Sequence, residues 1–244
     1  SPGFQPDVTS YDYDAPINEW GLATPKFYEL QKMMAKYNDG KKLPAVPKAP
    51  MAIIKVPEFK FTEYKPLSYG IGKAKETHAP QSFEDMDMGW GTMVYETTVP
   101  VIESTSTLTG EFHDFAQVYV NGKYVGKIDR VKNEKSLELP AMPQGAQLTI
   151  VVEGMGRINF GRAIKDYKGI IGNVTLTTQK EDCELALTPT RWNNSSIADD
   201  YQTAVNALAM PTNKMRGLQT KAGYYRGYFN LKKVGDTFIN MEAF

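Results

Sequence analysis

Apolar and polar residues alternate along most of the chain after residue 50, in short runs that end at glycine, proline or asparagine. A period of two is typical of strands with one buried face. Asn121-Gly122 lies between two such runs and predicts a tight hairpin, because both turn positions require positive φ. Strands, including this hairpin, are predicted at residues 92–99, 114–128, 137–140, 147–152 and 172–178. Their spacing favours a mainly β fold, a β-sandwich of jelly-roll type.

One segment near the start of the chain has helical periodicity instead. Thr24-Pro25 suits a helix start, because threonine caps free N–H groups and proline lacks an N–H that would need a partner there. Gly40 suits the helix end. Four apolar residues recur between these points and form one stripe, which we interpret as core packing: Phe27, Leu30, Met34 and Tyr37.

The pattern divides the chain into four predicted segments. Residues 1–40 hold one strand-like run and the helix, and residues 41–50 form a proline-rich linker. Residues 51–180 form a first jelly-roll sandwich, and residues 181–244 form part of a second sandwich. Further elements are predicted as strands at 51–56, 58–64, 184–187, 224–231 and 237–241 and a helix at 199–210.

The composition narrows the classes of function. The chain has 244 residues with 28 Lys+Arg and 28 Asp+Glu, so it lacks the positive charge of a nucleic-acid-binding protein. No apolar run approaches the roughly 20 residues of a membrane span. One cysteine and two histidines argue against a structural zinc site, and we predict no cofactor and no metal. The acidic group Glu84, Asp85 and Asp87 leaves two interpretations open, a calcium site or the solvated turn that we adopt.

Residues 151–161 form a strand followed by a glycine-punctuated turn that carries Arg157 and Asn159. Glycine permits close backbone approaches that other residues do not. We interpret this stretch as a structural corner of the sandwich, with Arg157 and Asn159 at the junction of two elements. A sugar- or phosphate-binding loop is the alternative. The glycine spacing does not fit a dinucleotide-binding loop.

Three segments resemble family 35 β-galactosidases. Residues 152–161 (VEGMGRINFG) resemble that family's VENMGRINYG segment, with Gly154 in place of asparagine and Phe160 in place of tyrosine. Residues 9–17 (TSYDYDAPI) resemble the segment that closes the family's catalytic barrel. Residues 166–172 (DYKGIIG) resemble its D-x-K-G-I-x-G segment. The three segments occur in the family's order.

The resemblance implies that residues 1–40 are the last strand and helix of a (β/α)₈ barrel, followed by galactose-binding-like jelly rolls. By the motif match, Tyr13 falls on a tyrosine that lines the galactose subsite, and Asp12 and Asp14 support that site. The family's nucleophile and acid/base glutamates lie on earlier strands, so both are expected upstream of Ser1. We therefore expect the C-terminal accessory region of an exo-acting retaining β-galactosidase, with no catalytic residue in this chain and no activity of its own. The Ser-Pro start indicates a processed or truncated beginning.

A second hypothesis belongs to another class, a stand-alone carbohydrate-binding jelly roll without catalysis. Its candidate contacts are exposed aromatic residues: Trp90, Trp192, Tyr224 and Tyr225. Under the first hypothesis the partners are a galactoside or glycan substrate, the N-terminal barrel domain and, through exposed strand edges, further copies of the chain. Residues 1–40 are then poorly packed, docked on the first sandwich or exchanged with another copy. The resemblance implies an extracytoplasmic location, and the absence of cysteine pairs favours a periplasmic or secreted location over a lysosomal one.

Overall fold

The computed structural model describes residues 13–46, 51–159, 161–178, 183–188, 190–198, 200–210, 213–214 and 222–239. The chain divides into two compact units. The larger unit contains Thr62–Arg226, and the smaller unit combines the described parts of Val8–Phe61 and Gly227–Phe244. Each unit has its own character, because the strands concentrate in the larger one and the N-terminal helix lies in the smaller one.

Strands dominate the described residues. The strands are β1 Phe61–Pro66, β2 Lys75–Thr77, β3 Gly91–Val99, β4 Ser106–His113, β5 Phe115–Val120, β6 Lys123–Asp129, β7 Ser136–Leu139, β8 Ala146–Gly154, β9 Gly169–Thr178, β10 Cys183–Ala186, β11 Trp192–Ile197, β12 Asn213–Lys214 and β13 Gly223–Gly227. The helices are α1 Pro25–Ala35 and α2 Tyr201–Ala209, and short 3₁₀ helices form at Leu67–Gly70, Glu84–Met86 and Arg130–Lys132.

Two antiparallel sheets form a sandwich. One sheet has six strands in the order β2-β11-β3-β8-β5-β6, and the other has four in the order β10-β9-β4-β7. A smaller sheet has the order β12-β1-β13. The predicted fold class, a mainly β protein built on a sandwich, is confirmed. The barrel strand and helix that the resemblance implies stay a prediction.

The core of the sandwich follows the alternation of its strands. On β8, Leu148, Ile150 and Val152 are fully buried, and the residues between them are partly exposed. Leu108 and Leu176 of the four-stranded sheet belong to the same buried cluster. Successive side chains leave a strand on opposite faces, so the six-stranded sheet has an apolar inner face and a mixed outer face.

The predicted hairpin is confirmed. Asn121 and Gly122 have φ of 49° and 75°, and they join β5 to β6 with Val120 opposite Lys123. The side chain of Asn121 also holds the turn to the neighbouring strand, because its Oδ1 accepts a hydrogen bond from the backbone N–H of Gln147 at 2.9 Å. The local turn chemistry and the sheet therefore specify the same backbone conformation.

Strand pairing continues beyond residue 180, where the sequence indicated the start of a second sandwich. β10 pairs with β9, and β11 lies between β2 and β3, so both strands belong to the sheets of the first sandwich. Residues 237–239 of the predicted strand at 237–241 are not in a strand, and residues 240–241 lie outside the described residues. Sequence patterns locate strands but not their partners, because pairing is decided by long-range packing. The four-segment division of the chain stays a prediction.

Two predictions for the start of the chain differ from the structure. The strands predicted at 51–56 and 58–64 reduce to β1 and an isolated parallel bridge between Ile53 and Asp236. Helix α1 forms where predicted, with Pro25 at its first turn, but it contains no buried residue. Met34 is 58% exposed, so the interpretation of its stripe as core packing is wrong for this chain. Periodicity determines which side chains share a face, whereas burial requires a second surface.

Candidate functional site

A group of charged side chains lies where β4 ends and β9 begins. We call it the buried ion cluster and define it as His113, Asp114, Arg130, Asp166 and Lys168. Lys168 is 1% exposed, and its Nζ lies 2.6 Å from Asp114 Oδ2 and 2.8 Å from Asp166 Oδ2. A buried ammonium group is stable only where such partners replace its water. The position of Lys168 therefore depends on both carboxylates.

Arg130 supplies the second positive charge of the cluster. Its Nη1 lies 2.7 Å from Asp114 Oδ1, and its Nη2 lies 2.8 Å from Asp166 Oδ1. Burial raises the pKa of Asp166, but hydrogen bonds from Arg130 and Lys168 outweigh burial and hold that pKa below its ordinary value. The two aspartates and two cations thus balance each other, and Asp166 stays ionised.

His113 closes the cluster on the β4 side. Its Nδ1 lies 2.6 Å from the carbonyl oxygen of Tyr167, and its Nε2 lies 2.9 Å from Glu111 Oε1. A carbonyl oxygen and a carboxylate only accept hydrogen bonds. The imidazole ring of His113 thus connects Glu111 of β4 with Tyr167 in the loop before β9.

Arg157, one of the two predicted junction residues, lies in a polar network next to the cluster. Its Nε donates to the carbonyl oxygen of Gly89 at 2.7 Å, and its Nη1 lies 2.6 Å from Glu84 Oε1. Glu84 Oε2 also accepts from the backbone N–H of Lys168 at 3.1 Å. Arg157 thus connects the loop before β3 with the loop before β9. Asn159 is exposed, and its junction role stays a prediction.

The acidic group at residues 84–87 is largely occupied by the protein itself. Asp85 Oδ2 accepts hydrogen bonds from the backbone N–H and the hydroxyl of Ser82, and Ser82 Oγ accepts from the backbone N–H of Asp85. This reciprocal pair is a capping box at the start of the 3₁₀ helix. Within the described residues, no group of three or more His, Cys, Asp or Glu side chains is placed to hold a metal ion.

Gly169 follows the cluster and can be no other residue without rearrangement. Its φ is +99°, and a Cβ atom there would lie 2.3 Å from the hydroxyl oxygen of Tyr95. Tyr95 is fully buried and donates from this hydroxyl to the carbonyl oxygen of Gln81 at 2.8 Å. The lysine and glycine of the D-x-K-G-I segment therefore have separate physical roles. Lys168 forms buried ion pairs, and Gly169 lets the backbone come close to Tyr95.

The predicted sugar-site residues belong to the smaller unit. Tyr13 is 74% exposed. Asp14 has φ of 56°, and its Oδ2 lies 3.2 Å from Lys26 Nζ. Asp12 lies outside the described residues. The structure thus gives Asp14 a local partner, while the roles predicted for all three residues stay predictions.

Two of the four candidate aromatic contacts of the alternative hypothesis are wrong. Trp192 is fully buried, and its indole N–H donates to the carbonyl oxygen of Leu187 at 3.0 Å. Tyr224 is 8% exposed and hydrogen-bonds the carbonyl oxygen of Ala198. Large aromatic side chains with one polar atom commonly fill cores when that atom finds a partner. Tyr225 is half-buried and packs on Tyr64, and Trp90 is exposed.

Sequence reasoning assigned no role to the members of the buried ion cluster. Asp166 and Lys168 lie inside a quoted segment, but their partners Asp114 and Arg130 come from distant parts of the chain. Asp114 and Lys168 are 54 residues apart in sequence. The sequence offered one indication of a buried lysine, because Lys168 directly precedes a glycine and an apolar strand. A single sequence does not identify the carboxylates that pair with this lysine.

Family comparisons agree with this architecture. Residues 80–183 match the model described as the first all-β domain of β-galactosidase. Residues 1–37 match the model of glycosyl hydrolases family 35. A β-galactosidase from Xanthomonas manihotis is 29% identical over 99% of the chain, and one from Bos taurus is 35% identical over 71%. The chain belongs to glycosyl hydrolase family 35.

The family 35 relatives are longer than this chain. The chain spans 38% of the Xanthomonas manihotis protein and 27% of the Bos taurus protein. It is 34% identical to a Homo sapiens β-galactosidase over 70% of the chain, which is 26% of that relative. The resemblance is confirmed, and the chain is a C-terminal part of such a family 35 protein, since only residues 1–37 match the hydrolase model. Among the described residues, the helices lack the length and hydrophobicity that a membrane span requires.

Proposed function

We propose that this chain is the C-terminal accessory region of an exo-acting retaining β-galactosidase, which hydrolyses terminal β-D-galactosyl residues of glycans. The observation that carries the proposal is the pair of family matches, to the hydrolase model at residues 1–37 and to the first all-β domain at residues 80–183. The sandwich fold and the family's D-x-K-G-I segment within its ion cluster support it.

The proposed role of the sandwich is to brace the catalytic barrel and to shape the entrance for the substrate. A brace must be rigid. Buried, charge-assisted hydrogen bonds of the ion cluster join the loop before β9 to Asp114 and Arg130, and the partly exposed Arg157–Glu84 pair joins the same loop to the loop before β3. Arg157 and Asn159 are proposed as junction residues of this brace. The N-terminal barrel domain is the proposed partner, and exposed strand edges offer a route to oligomers.

In the smaller unit we propose that Tyr13 lines the galactose subsite and that Asp12 and Asp14 support it. An aromatic ring suits this role, because it packs on the apolar face of a pyranose while its hydroxyl forms a hydrogen bond. The exposure of Tyr13 in this chain is compatible with a surface that another part of the enzyme completes.

The chemistry of the described carboxylates supports a non-catalytic role for the sandwich. A retaining glycosidase needs a nucleophile and an acid/base residue about 5–5.5 Å apart, and the acid must hold a proton near neutral pH. Asp166 is ionised and occupied by two cations, and Asp114 is fully buried between the same cations. Neither group is free to protonate a leaving group, so we propose that both catalytic glutamates are supplied from outside this chain.

The second candidate function is glycan binding without catalysis. Trp90 favours it, because this residue is 70% exposed while the carbonyl oxygen of its neighbour Gly89 is held by Arg157. A large ring on a fixed loop loses little conformational entropy when it stacks on a sugar. An extracytoplasmic location, periplasmic or secreted, is proposed for either function from the resemblance.

The test is hydrolysis of a chromogenic aryl β-galactoside by the purified, folded chain, alone and mixed with separately produced barrel residues of a family 35 enzyme. We expect no turnover by the chain alone and a gain of activity on mixing. A chain carrying Asp14→Asn is the matched control. Its effect on activity should be smaller, whereas an equal gain would mean that any added protein stabilises the barrel. Turnover by the chain alone that is lost on changing one of its own carboxylates would overturn the proposal.

A further inference from the structure

A second surface of the larger unit has the composition of a ligand site. A groove of about 550 Å³ lies between the outer face of the six-stranded sheet and a wall that includes Tyr64, Leu67 and Ala222. The wall is fixed, because Tyr64 Oη donates to the carbonyl oxygen of Ala222 at 3.2 Å and the backbone N–H of Leu67 donates to the same oxygen. The volume of the groove falls within the range of small-molecule sites, which is roughly 300–1,000 Å³.

Strand register places the floor residues of the groove side by side. Phe115 of β5 is opposite Glu153 of β8, and Glu153 is opposite Thr92 of β3. Two residues further along the same strands, Gln117 is opposite Val151, and the next row pairs Tyr119 with Thr149. These positions alternate with the buried positions of β8, so their side chains share the outer face.

Polar groups on this floor are partly set in position by the protein. Tyr119 Oη donates to Gln117 Oε1 at 2.7 Å, which orients the amide. Among the described residues, neither the Nε2 hydrogens of Gln117 nor the carboxylate of Glu153 has a hydrogen-bond partner. The ring of Tyr124 packs edge-on against Tyr119 at 5.5 Å and restricts its movement. The floor thus offers a fixed donor and an open acceptor beside aromatic surface.

The charges around the groove restrict the class of ligand. Glu153 is the only acidic or basic side chain among its lining residues within the described ranges, and one cation lies close by, because Lys127 Nζ is 5.2 Å from the centre of the Phe115 ring. A site without lining Lys or Arg does not suit phosphate or nucleic acid. Aromatic and aliphatic floor residues beside an amide, a carboxylate and threonine hydroxyls suit a neutral molecule with both an apolar face and many hydroxyl groups.

We propose that this groove binds a neutral oligosaccharide through Phe115, Gln117, Tyr119 and Glu153, all of which belong to the larger unit. The choice of galactosides as probes rests on the proposed function, whereas the groove itself is argued from its own residues. Glu153 accepts from sugar hydroxyls, Gln117 donates to them, and the aromatic rings contact the apolar face of a pyranose.

The experiment is a nuclear magnetic resonance titration of the isotope-labelled 244-residue chain with lactose and, separately, with maltotriose. We expect lactose at millimolar concentration to shift the side-chain amide resonances of Gln117 and backbone resonances of 115–119 and 149–153. Substitution Gln117→Ala should weaken the affinity about fivefold to tenfold, because one hydrogen bond to the ligand is lost. Gln202→Ala is the matched control and should leave the affinity unchanged, because Gln202 is exposed on α2 and does not line the groove.

Several results would overturn the proposal. Groove resonances that stay unshifted with both sugars exclude an oligosaccharide site of this class. If only resonances of residues near Trp90 shift, the glycan binds at the loop before β3 and not in the groove. Sedimentation that changes with Phe115→Ser, without any sugar-induced shift, makes the groove a contact between protein surfaces instead. Shifts of the groove resonances by maltotriose alone would instead support an oligosaccharide site. They would contradict only the expectation of a galactoside ligand and leave the hydrolysis test of the proposed function unaffected.

Discussion

Strand β8 and helix α1 have equally regular apolar patterns, but only one of them is buried. Leu148 and Ile150 of β8 are fully buried between two sheets, whereas Leu30 and Met34 of α1 are 38% and 58% exposed. The period of the sequence specifies both elements equally well. The difference shows that an amphipathic pattern predicts the shape of an element and the face it will use, but not whether another surface covers that face.

The same contrast holds for charged pairs. Lys168 and Asp114 are almost fully buried, whereas the side chains of Lys26 and Asp14 are 47% and 84% exposed. In water the exposed pair gains little, because solvent screens the attraction. The buried pair has lost its water, so each ion depends on its partner. Three comparisons of a buried residue with an exposed one test these two contrasts, from the largest expected effect to the smallest.

Lys168→Met should lower the free energy of unfolding by about 3–5 kcal/mol, because it leaves two buried carboxylates with Arg130 alone. Lys26→Met should change it by about 0–1 kcal/mol. Urea unfolding followed by tryptophan fluorescence, to which Trp192 in the sandwich core contributes, measures the first effect, and circular dichroism measures the second.

Lys132→Met is the control inside the sandwich. The side chain of Lys132 is 60% exposed, and its ion pair is long, with 4.0 Å between Nζ and Asp129 Oδ2. A loss for Lys168→Met no larger than the loss for Lys132→Met would contradict the view that the cluster holds the sandwich together.

Leu108→Ala should lower the free energy of unfolding by about 2–5 kcal/mol, since it leaves a cavity between the two sheets. Leu30→Ala removes the same atoms from the stripe of α1 and should change stability by less than about 0.5 kcal/mol. Thermal unfolding by far-ultraviolet circular dichroism compares the two. Equal losses would show that the stripe of α1 is covered in solution.

Acid should weaken the sandwich through Asp166. The pKa of this carboxyl is lowered in the folded chain from an ordinary value of 3.8, so its stabilising effect is present above that value and is lost as the pH falls through the folded-state pKa. Asp166→Asn should reduce stability at neutral pH and flatten this acid-dependent loss. Urea midpoints over a series of acidic pH values measure both effects.

Asp200→Asn is the control for the acid series. Hydrogen bonds from Thr203 lower the pKa of Asp200, but this group is an exposed N-cap of α2, and asparagine serves equally well as a cap. If the urea midpoints of Asp166→Asn and of the unsubstituted chain fall in parallel as the pH is lowered, Asp166 does not contribute to the loss of stability in acid.

Local signals explain which strands could be predicted. β3, β8 and the Asn121-Gly122 hairpin have regular alternation and clear turn residues, and each was predicted within a few positions of its observed bounds. β4 was not predicted, although it is central in its sheet. Its sequence is rich in serine and threonine, and a register shift between Thr109 and Glu111 interrupts its alternation.

The sequence by itself determined the mainly β character, the hairpin, the helix near the start and the family resemblance, because these depend on local periods, turn chemistry and short segments. The tertiary structure alone decided which strands pair, that Trp192 is buried while the stripe of α1 is not, and that Lys168 meets carboxylates from distant parts of the chain. Local preferences act through neighbouring residues, whereas burial and ion pairing depend on surfaces that come together only when the chain folds.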